Sequence, residues 1–243
     1  MPYITPPAAS PVQITCISSM ATRQVLVELT SVFEKQSGHS VVIESVGGVD
    51  AAKRVQAGEV FDVVILGADA IDKLIASGAL QTGSRVDLVR SGVAVAVRAG
   101  APLPDIASED AVKAAVRSAK SISYSTGPSG VALARLFGRW GIADEIKGRM
   151  VPAPPGVPVG ALVARGEVAL GFQQLSELLP VKGITLVGPL PPAIQITTIF
   201  SAGLPATLVT GSPQAVAVRS LLEFMASPQA TDAKRRQGMD PAE

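Results

Sequence analysis

The first eighty or so residues alternate short apolar runs with helical stretches three times over, and no other feature constrains the fold as much. Val12 to Ile17 (VQITCI) reads as a short buried strand. From Ala21 to Gln36 the apolar residues Val25, Leu29, Val32 and Phe33 recur at helical spacing, and Gly38 ends the helix. Ser40 to Val46 is a second strand, and Asp50 to Ala57 a short helix stopped by Gly58. Asp62 to Leu66 is a third strand, followed by a helix from Asp69 to Ala76 with Asp69 as its N-cap. Strands joined through helices pair in parallel, because a parallel pair needs a long crossover and a helix supplies it. The chain is therefore expected to be an α/β protein.

The alternation continues to the end. Strands are expected at Ser91 to Arg98, Ser121 to Ser125, Ala169 to Gln173, Ile184 to Val187 and Ile194 to Phe200. Helices are expected at Glu109 to Ala119, Val131 to Trp140, Asp144 to Arg149, Leu175 to Leu179, Pro213 to Ala226 and Pro228 to Gln237. A further strand–helix pair covers Met150 to Arg165. The apolar pattern resets near Arg90 and again near Ile194, after the Pro-rich run GPLPPAIQ. Two lobes of mixed, mainly parallel sheet follow, with the chain crossing at Arg90–Val97 and Ile194–Ser201. Lobe 1 is discontinuous, 1–94 plus 198–243, and lobe 2 is 95–197.

Composition removes several function classes. Lys plus Arg number 21 and Asp plus Glu 20, so the net charge of +1 leaves no electrostatic footprint for nucleic acid or an anionic membrane. Six Phe, two Tyr and one Trp are too few for a base-stacking platform. One cysteine, Cys16, permits no internal disulfide, and one histidine, His39, no multi-His metal site. Cys16 reads as a buried strand residue and His39 as structural. No pattern implies a cofactor. No apolar run approaches a membrane span. The start, MPYITPPAASPVQITCISS, lacks the basic and apolar regions of a secretory signal. A cytoplasmic location is expected, or a periplasmic one if a signal peptide has been removed.

Four places share one design, in which a strand ends, small residues follow and a helix starts. They are Ile17-Ser18-Ser19-Met20, Val46-Gly47-Gly48-Val49, Ser125-Thr126-Gly127-Pro128-Ser129-Gly130 and Pro155-Gly156-Val157-Pro158-Val159-Gly160. A helix start exposes backbone N–H groups and the positive end of the helix dipole, so it suits an anion. In parallel sheets ligands sit beyond the carboxyl ends of strands. Two of these turns fall in each lobe, which places the expected site between the lobes. Each turn alone also reads as an ordinary βα connection. None matches a P-loop or a dinucleotide fingerprint.

The runs SSMATRQVLVELTSVFEKQSG and ESVGGVDAAKRVQAGEVFDVVILGADAIDKL resemble the opening of the molybdate-binding proteins of ABC transporters. PSGVALARLFGRWGI and GALVARGEVALGFQQLSEL are similar to later parts of that family. The resemblance covers nearly the whole chain in order. It implies the two-lobed type II periplasmic-binding-protein fold and a small anion held between the lobes. It also implies an anion-binding role for Ser19, a backbone amide at Ser129 and another at Gly156 or Val157. Two positions depart from the family. Its second serine turn is Gly47-Gly48 here, and its cleft tyrosine is Gln174. Losing hydroxyl donors while widening a turn suits a larger, flatter anion such as a carboxylate. Gln174 can offer two N–H donors or an acceptor. Ser18 and Ser125 belong to the same turns. Arg23, on the first turn after Ser19, reads either as a bidentate carboxylate clamp or as a solvated helix residue.

Two function classes remain open. One is a non-catalytic substrate-binding protein, which needs export and an ABC permease as partner. The other is an enzyme on the same scaffold, since some relatives of the family isomerise aconitate. Helix-start amides would then hold several carboxylates and stabilise the charge that builds as a proton leaves. With no histidine in reach, the base candidates are Glu44, Tyr124 and Glu177. Glu44 reads more plainly as a solvent-facing strand residue. A cytoplasmic anion sensor is a third option. Lys53 and Arg54 read as the solvated face of a short helix, and KRRQGMDPAE as a polar tail.

Overall fold

The computed structural model describes residues 10–154 and 156–242. The expectation drawn from residues 1–9 lies outside the described residues. The first strand, β1 (Gln13–Ser19), runs into a 3₁₀ turn (Met20–Thr22) and then α1 (Arg23–Ser37). Gly38 closes α1 at φ 76°, a left-handed conformation that glycine adopts without penalty. Next come β2 (Ser40–Val46), α2 (Gly48–Gln56), β3 (Val63–Gly67) and α3 (Ala68–Ala76). Gly67 rather than Asp69 is the N-cap of α3, and Asp69 lies in its first turn. There its charge still favours the positive end of the helix.

The middle of the chain forms β4 (Val86–Arg98), α4 (Glu109–Ser118), β5 (Ile122–Tyr124) and α5 (Pro128–Arg139). It continues through α6 (Ala143–Ile146), β6 (Met150–Pro152), α7 (Val159–Ala164), β7 (Leu170–Gln174) and α8 (Leu175–Leu178). The last third holds β8 (Ile184–Pro189), β9 (Thr197–Gly203), α9 (Pro213–Ala226), α10 (Thr231–Arg236) and β10 (Asp240–Pro241). Helix α5 starts three residues before the expected Val131, because Pro128 suits the first helical position, where no N–H is needed.

Hydrogen bonds link the strands along the path β2-β1-β3-β9-β4-β7-β5-β6, with β8 and β10 also on β4. The outer groups are parallel: β1 pairs with β2 and β3, and β5 with β6 and β7. Around β4 every ladder is antiparallel. The sheet is thus mixed, and mainly parallel only in its outer groups, because β4 and β9 carry the chain in opposite directions between them. Strand β4 pairs with β9 from Val86 to Gly92 and with β7 from Val93 to Ala96. One long strand therefore serves both groups.

Each group has its own core. Ile14, Val25, Leu29 and Phe33 pack with Val218, Leu221 and Met225 of α9. Val95, Val112, Ile122, Leu133, Phe137 and Phe172 form the second. Fully burying one such side chain contributes about 1.5–3 kcal/mol, so α9, distant in sequence, is bound firmly to the N-terminal strands. The C-terminal segment is not a polar tail. Lys234 and Met239 are buried, Met239 belongs to the first core, and Asp240 pairs with Arg90 of β4. The basic run had concealed Ala233 and Met239, whose burial draws the segment in. Cys16 is buried, which pushes its thiol up to about 12. His39 Nδ1 accepts the Val12 N–H at 3.1 Å, a structural bond. Among the described residues no helix is long and apolar enough to cross a membrane.

Candidate functional site

Ser18 and Ser19 end β1 and point to opposite faces, as successive strand residues must. Ser18 is fully buried, and its Oγ lies 2.7 Å from Ser45 Oγ on β2. Its hydroxyl ties two strands together. Ser19 caps the 3₁₀ turn, its Oγ accepting the Ala21 N–H at 3.4 Å. Gly47 precedes α2, and a Cβ on Gly48 would lie 3.7 Å from Ser19 Oγ. The first two candidate turns therefore meet at the Ser19 hydroxyl.

A third helix start in this half was missed. Gly67 caps α3, and a Cβ there would lie 3.7 Å from Thr198 Cγ2 on β9. Gln174 Nε2 donates to Thr198 Oγ1 at 2.8 Å, while Gln174 Oε1 is buried without a partner. Thr198 thus joins the α3 start to the end of β7. Only the fold could show this, since Gly67 and Thr198 are 131 residues apart (198 − 67).

In the other half, Ser125 Oγ lies 3.2 Å from Ser129 Oγ, closing the turn before α5. A Cβ on Gly130 would fall 1.6 Å from Ser125 O and 3.1 Å from the Tyr124 ring. Only glycine permits this packing. Pro128 has no N–H, and the Gly130 N–H donates to Gly127 O at 3.0 Å. That leaves Ser129 as the first-turn amide of this helix start. Tyr124 packs against the second core and also lines an open groove beside Ser125.

The Gly156–Val157 position differs from expectation. The Val157 N–H donates to Pro154 O at 3.0 Å, closing a turn, and Gly156 is exposed at φ 75°. Helix α7 begins only at Val159, so the Val157 amide is already occupied. Instead, the Gly160 N–H at the start of α7 donates to Gln173 Oε1 at 3.3 Å. Gln173 Nε2 in turn donates to Glu177 Oε1 at 2.9 Å. Beside Glu177, Ser176 Oγ donates to Ala21 O at 2.8 Å, fixing α8 to the 3₁₀ turn after Ser19. Glu177 is therefore linked through Gln173 to the α7 start, and its neighbour Ser176 is tied to the turn after Ser19. Burial pushes its carboxyl up to about 7, with the Gln173 hydrogen bond pulling the other way.

The other base candidates stand apart. Glu44 is exposed on β2 and pairs with Arg54 through bonds of 2.5 and 2.9 Å. Arg54 hydrogen bonds hold the Glu44 carboxyl below its ordinary value, which makes it a poor base. Arg54 also binds Glu59 and lies over the Phe61 ring, so it is not merely solvated. This constellation needed the positions of β2 and the α2–β3 loop. Arg23 opens α1, is exposed and pairs with no acid among the described residues.

A model described as bacterial extracellular solute-binding protein matches residues 14–240. An aconitate isomerase from Pseudomonas sp is 42% identical over 243 residues, spanning 96% of this chain and 90% of that protein. Among solved structures, the periplasmic molybdate-binding protein of Azotobacter vinelandii superposes with a TM-score of 0.75 at 22% identity, covering 93% of this chain and 98% of that one. The tungstate ABC transporter protein of Geobacter sulfurreducens gives 0.72 at 17% identity, covering 91% and 97%. These likenesses show the two-lobed α/β fold. With the model spanning nearly the whole chain and a relative at this identity, the chain belongs to the family of bacterial extracellular solute-binding proteins.

Proposed function

We propose that the chain binds a small organic polycarboxylate between two lobes, 1–94 plus 198–243 and 95–197, and isomerises it by an allylic proton shift of the aconitate type. The observation that carries this reading is Glu177, a buried carboxyl raised to about 7, held by Gln173 and next to Ser176, which ties α8 to the 3₁₀ turn after Ser19. A general base works best when its pKa lies near the working pH. The 42% identical relative named aconitate isomerase supports the same reading.

The steps follow from the residues. Helix-start amides near Ser19, Gly47-Gly48 and Ser129 hold carboxylates. Glu177 removes a proton from the methylene carbon of trans-aconitate. The electron pair spreads over the allyl unit into an adjacent carboxylate, whose added charge meets preorganised N–H donors. Glu177 then returns the proton to the far allylic carbon, the double bond having moved to give the cis isomer. Atoms and electrons balance without a co-reactant. Gln173 leaves Glu177 Oε2 as the oxygen that carries the proton. Tyr124, packed against the core of the same half, is the second candidate for proton transfer.

The alternative is a non-catalytic binding component, favoured by structural likeness to the molybdate- and tungstate-binding proteins. It requires export and a permease, whereas the enzyme reading is compatible with the cytoplasm. Calorimetry separates the ligand classes. A tricarboxylate is expected to bind at least about tenfold more tightly than molybdate at matched pH and salt, since each lost hydrogen bond to a charged group costs about 1.5–3 kcal/mol. Tight molybdate binding without tricarboxylate binding sinks the proposal.

A further inference from the structure

An open groove of ≈ 550 Å³ begins at Tyr124, Ser125 and Thr126 and runs along α5 past Val131 and Ala134 to Arg135. Its lining includes three hydroxyls and one cation but no carboxylate. Arg135 is exposed and forms no ion pair among the described residues. Val131, Ala134 and Arg135 are spaced i, i+3, i+4, so they share one face of the helix. From the cap Gly127 to Arg135 the helix advances roughly 12 Å, at about 1.5 Å per residue. Helical side chains lean toward the helix start. The long Arg135 side chain can therefore reach back along the groove toward the Ser125–Ser129 turn without closing on it. A single tetrahedral oxyanion is too small to occupy both places. An organic acid with carboxylates at opposite ends of a short carbon chain is of the right extent.

We propose that Arg135 determines specificity, holding a distal carboxylate of a ligand whose other carboxylate sits at the Ser125–Ser129 turn. The inference rests on the reading that the ligand lies at this turn, and it adds the requirement for a second, separated anionic group. A guanidinium suits that task, because its planar fork meets a carboxylate through two parallel hydrogen bonds. The apolar wall of Val131 and Ala134 lies against the intervening carbons, which offer no hydrogen bonds.

The test is calorimetry with tricarballylate, the saturated tricarboxylate, which cannot undergo the allylic shift. Arg135→Gln is expected to weaken its binding by about tenfold or more. Arg135→Lys should recover only part of the loss, since an ammonium keeps the charge without the fork. Because Arg135 is exposed, both variants should keep the wild-type circular dichroism and melting temperature. Tricarballylate affinity within twofold of wild type in Arg135→Gln overturns the inference and leaves the polycarboxylate reading standing. A wild-type protein that binds no tricarboxylate overturns both.

Discussion

Glu177→Gln is expected to slow isomerisation by about 10²–10⁴-fold, the usual contribution of a positioned base, while polycarboxylate binding stays within a few-fold of wild type. The substitution is nearly isosteric. The variant's amide oxygen can still accept the Gln173 N–H that Glu177 Oε1 accepts at 2.9 Å. The same change should raise stability above neutral pH. In the folded chain burial pushes Glu177 up from 4.5 to about 7, so the protein holds a proton that the unfolded chain releases. Folding then takes up a proton between those values. The associated stability is fully present below pH 4.5 and is lost as pH rises through about 7. An amide does not titrate, so the variant should gain on wild type by about 1–2 kcal/mol at pH 8 and little at pH 4, the full shift being reduced by partial exposure. Melting curves at the two pH values check the stability, and single-turnover conversion checks the rate. A variant that remains active, or that gains no stability at pH 8, removes Glu177 from the role of base.

Gly130→Ala is expected to cost at least about 3 kcal/mol of stability, near the upper end for a single added methyl. The added Cβ would lie 1.6 Å from the Ser125 carbonyl oxygen, which is backbone and cannot rotate away. Helix α5 or the Ser125 turn must move, and with it the Ser125–Ser129 contact. The variant should therefore also lose ligand affinity, even at temperatures where it remains folded. Gly138→Ala, on the same helix with open space around its Cβ, is the control and should be neutral or slightly stabilising. Denaturant melts of both variants give the comparison. A Gly130→Ala protein as stable as wild type would mean that the turn before α5 is looser than its packing indicates.

Most of the framework was legible because it rests on local signals. Apolar spacing gave α1, Gly38 its end, and the repeated strand–helix alternation the layered α/β arrangement. The antiparallel centre was less legible, since direction within a sheet depends on where β4 and β9 travel and not on their own residues. Strand β10 was hidden by the basic run before it. At the site, helix starts could be read from glycines and serines, but their partners could not. Successive strand residues alternate faces, a rule that separates Gln173 from Gln174 and equally separates Ser18 from Ser19. Applied to the serines, it would have left only one of them for a ligand. Glu44 and Glu177 are both acids in strand–helix segments. Only the fold places Arg54 against one and Gln173 against the other. Gly67 follows the same strand–glycine–helix design as the other turns, whereas Thr198 carried no local signal.

The central claim is an allylic proton shift, and proton exchange reports on it directly. Metal-stripped protein incubated with trans-aconitate in heavy water, followed by proton NMR, should form cis-aconitate. Deuterium should enter the methylene position in part, because a single base returns some of its protons before they exchange with solvent. Neither conversion nor exchange at high protein concentration, with binding shown separately, would contradict the account and leave a polycarboxylate-binding protein on this scaffold.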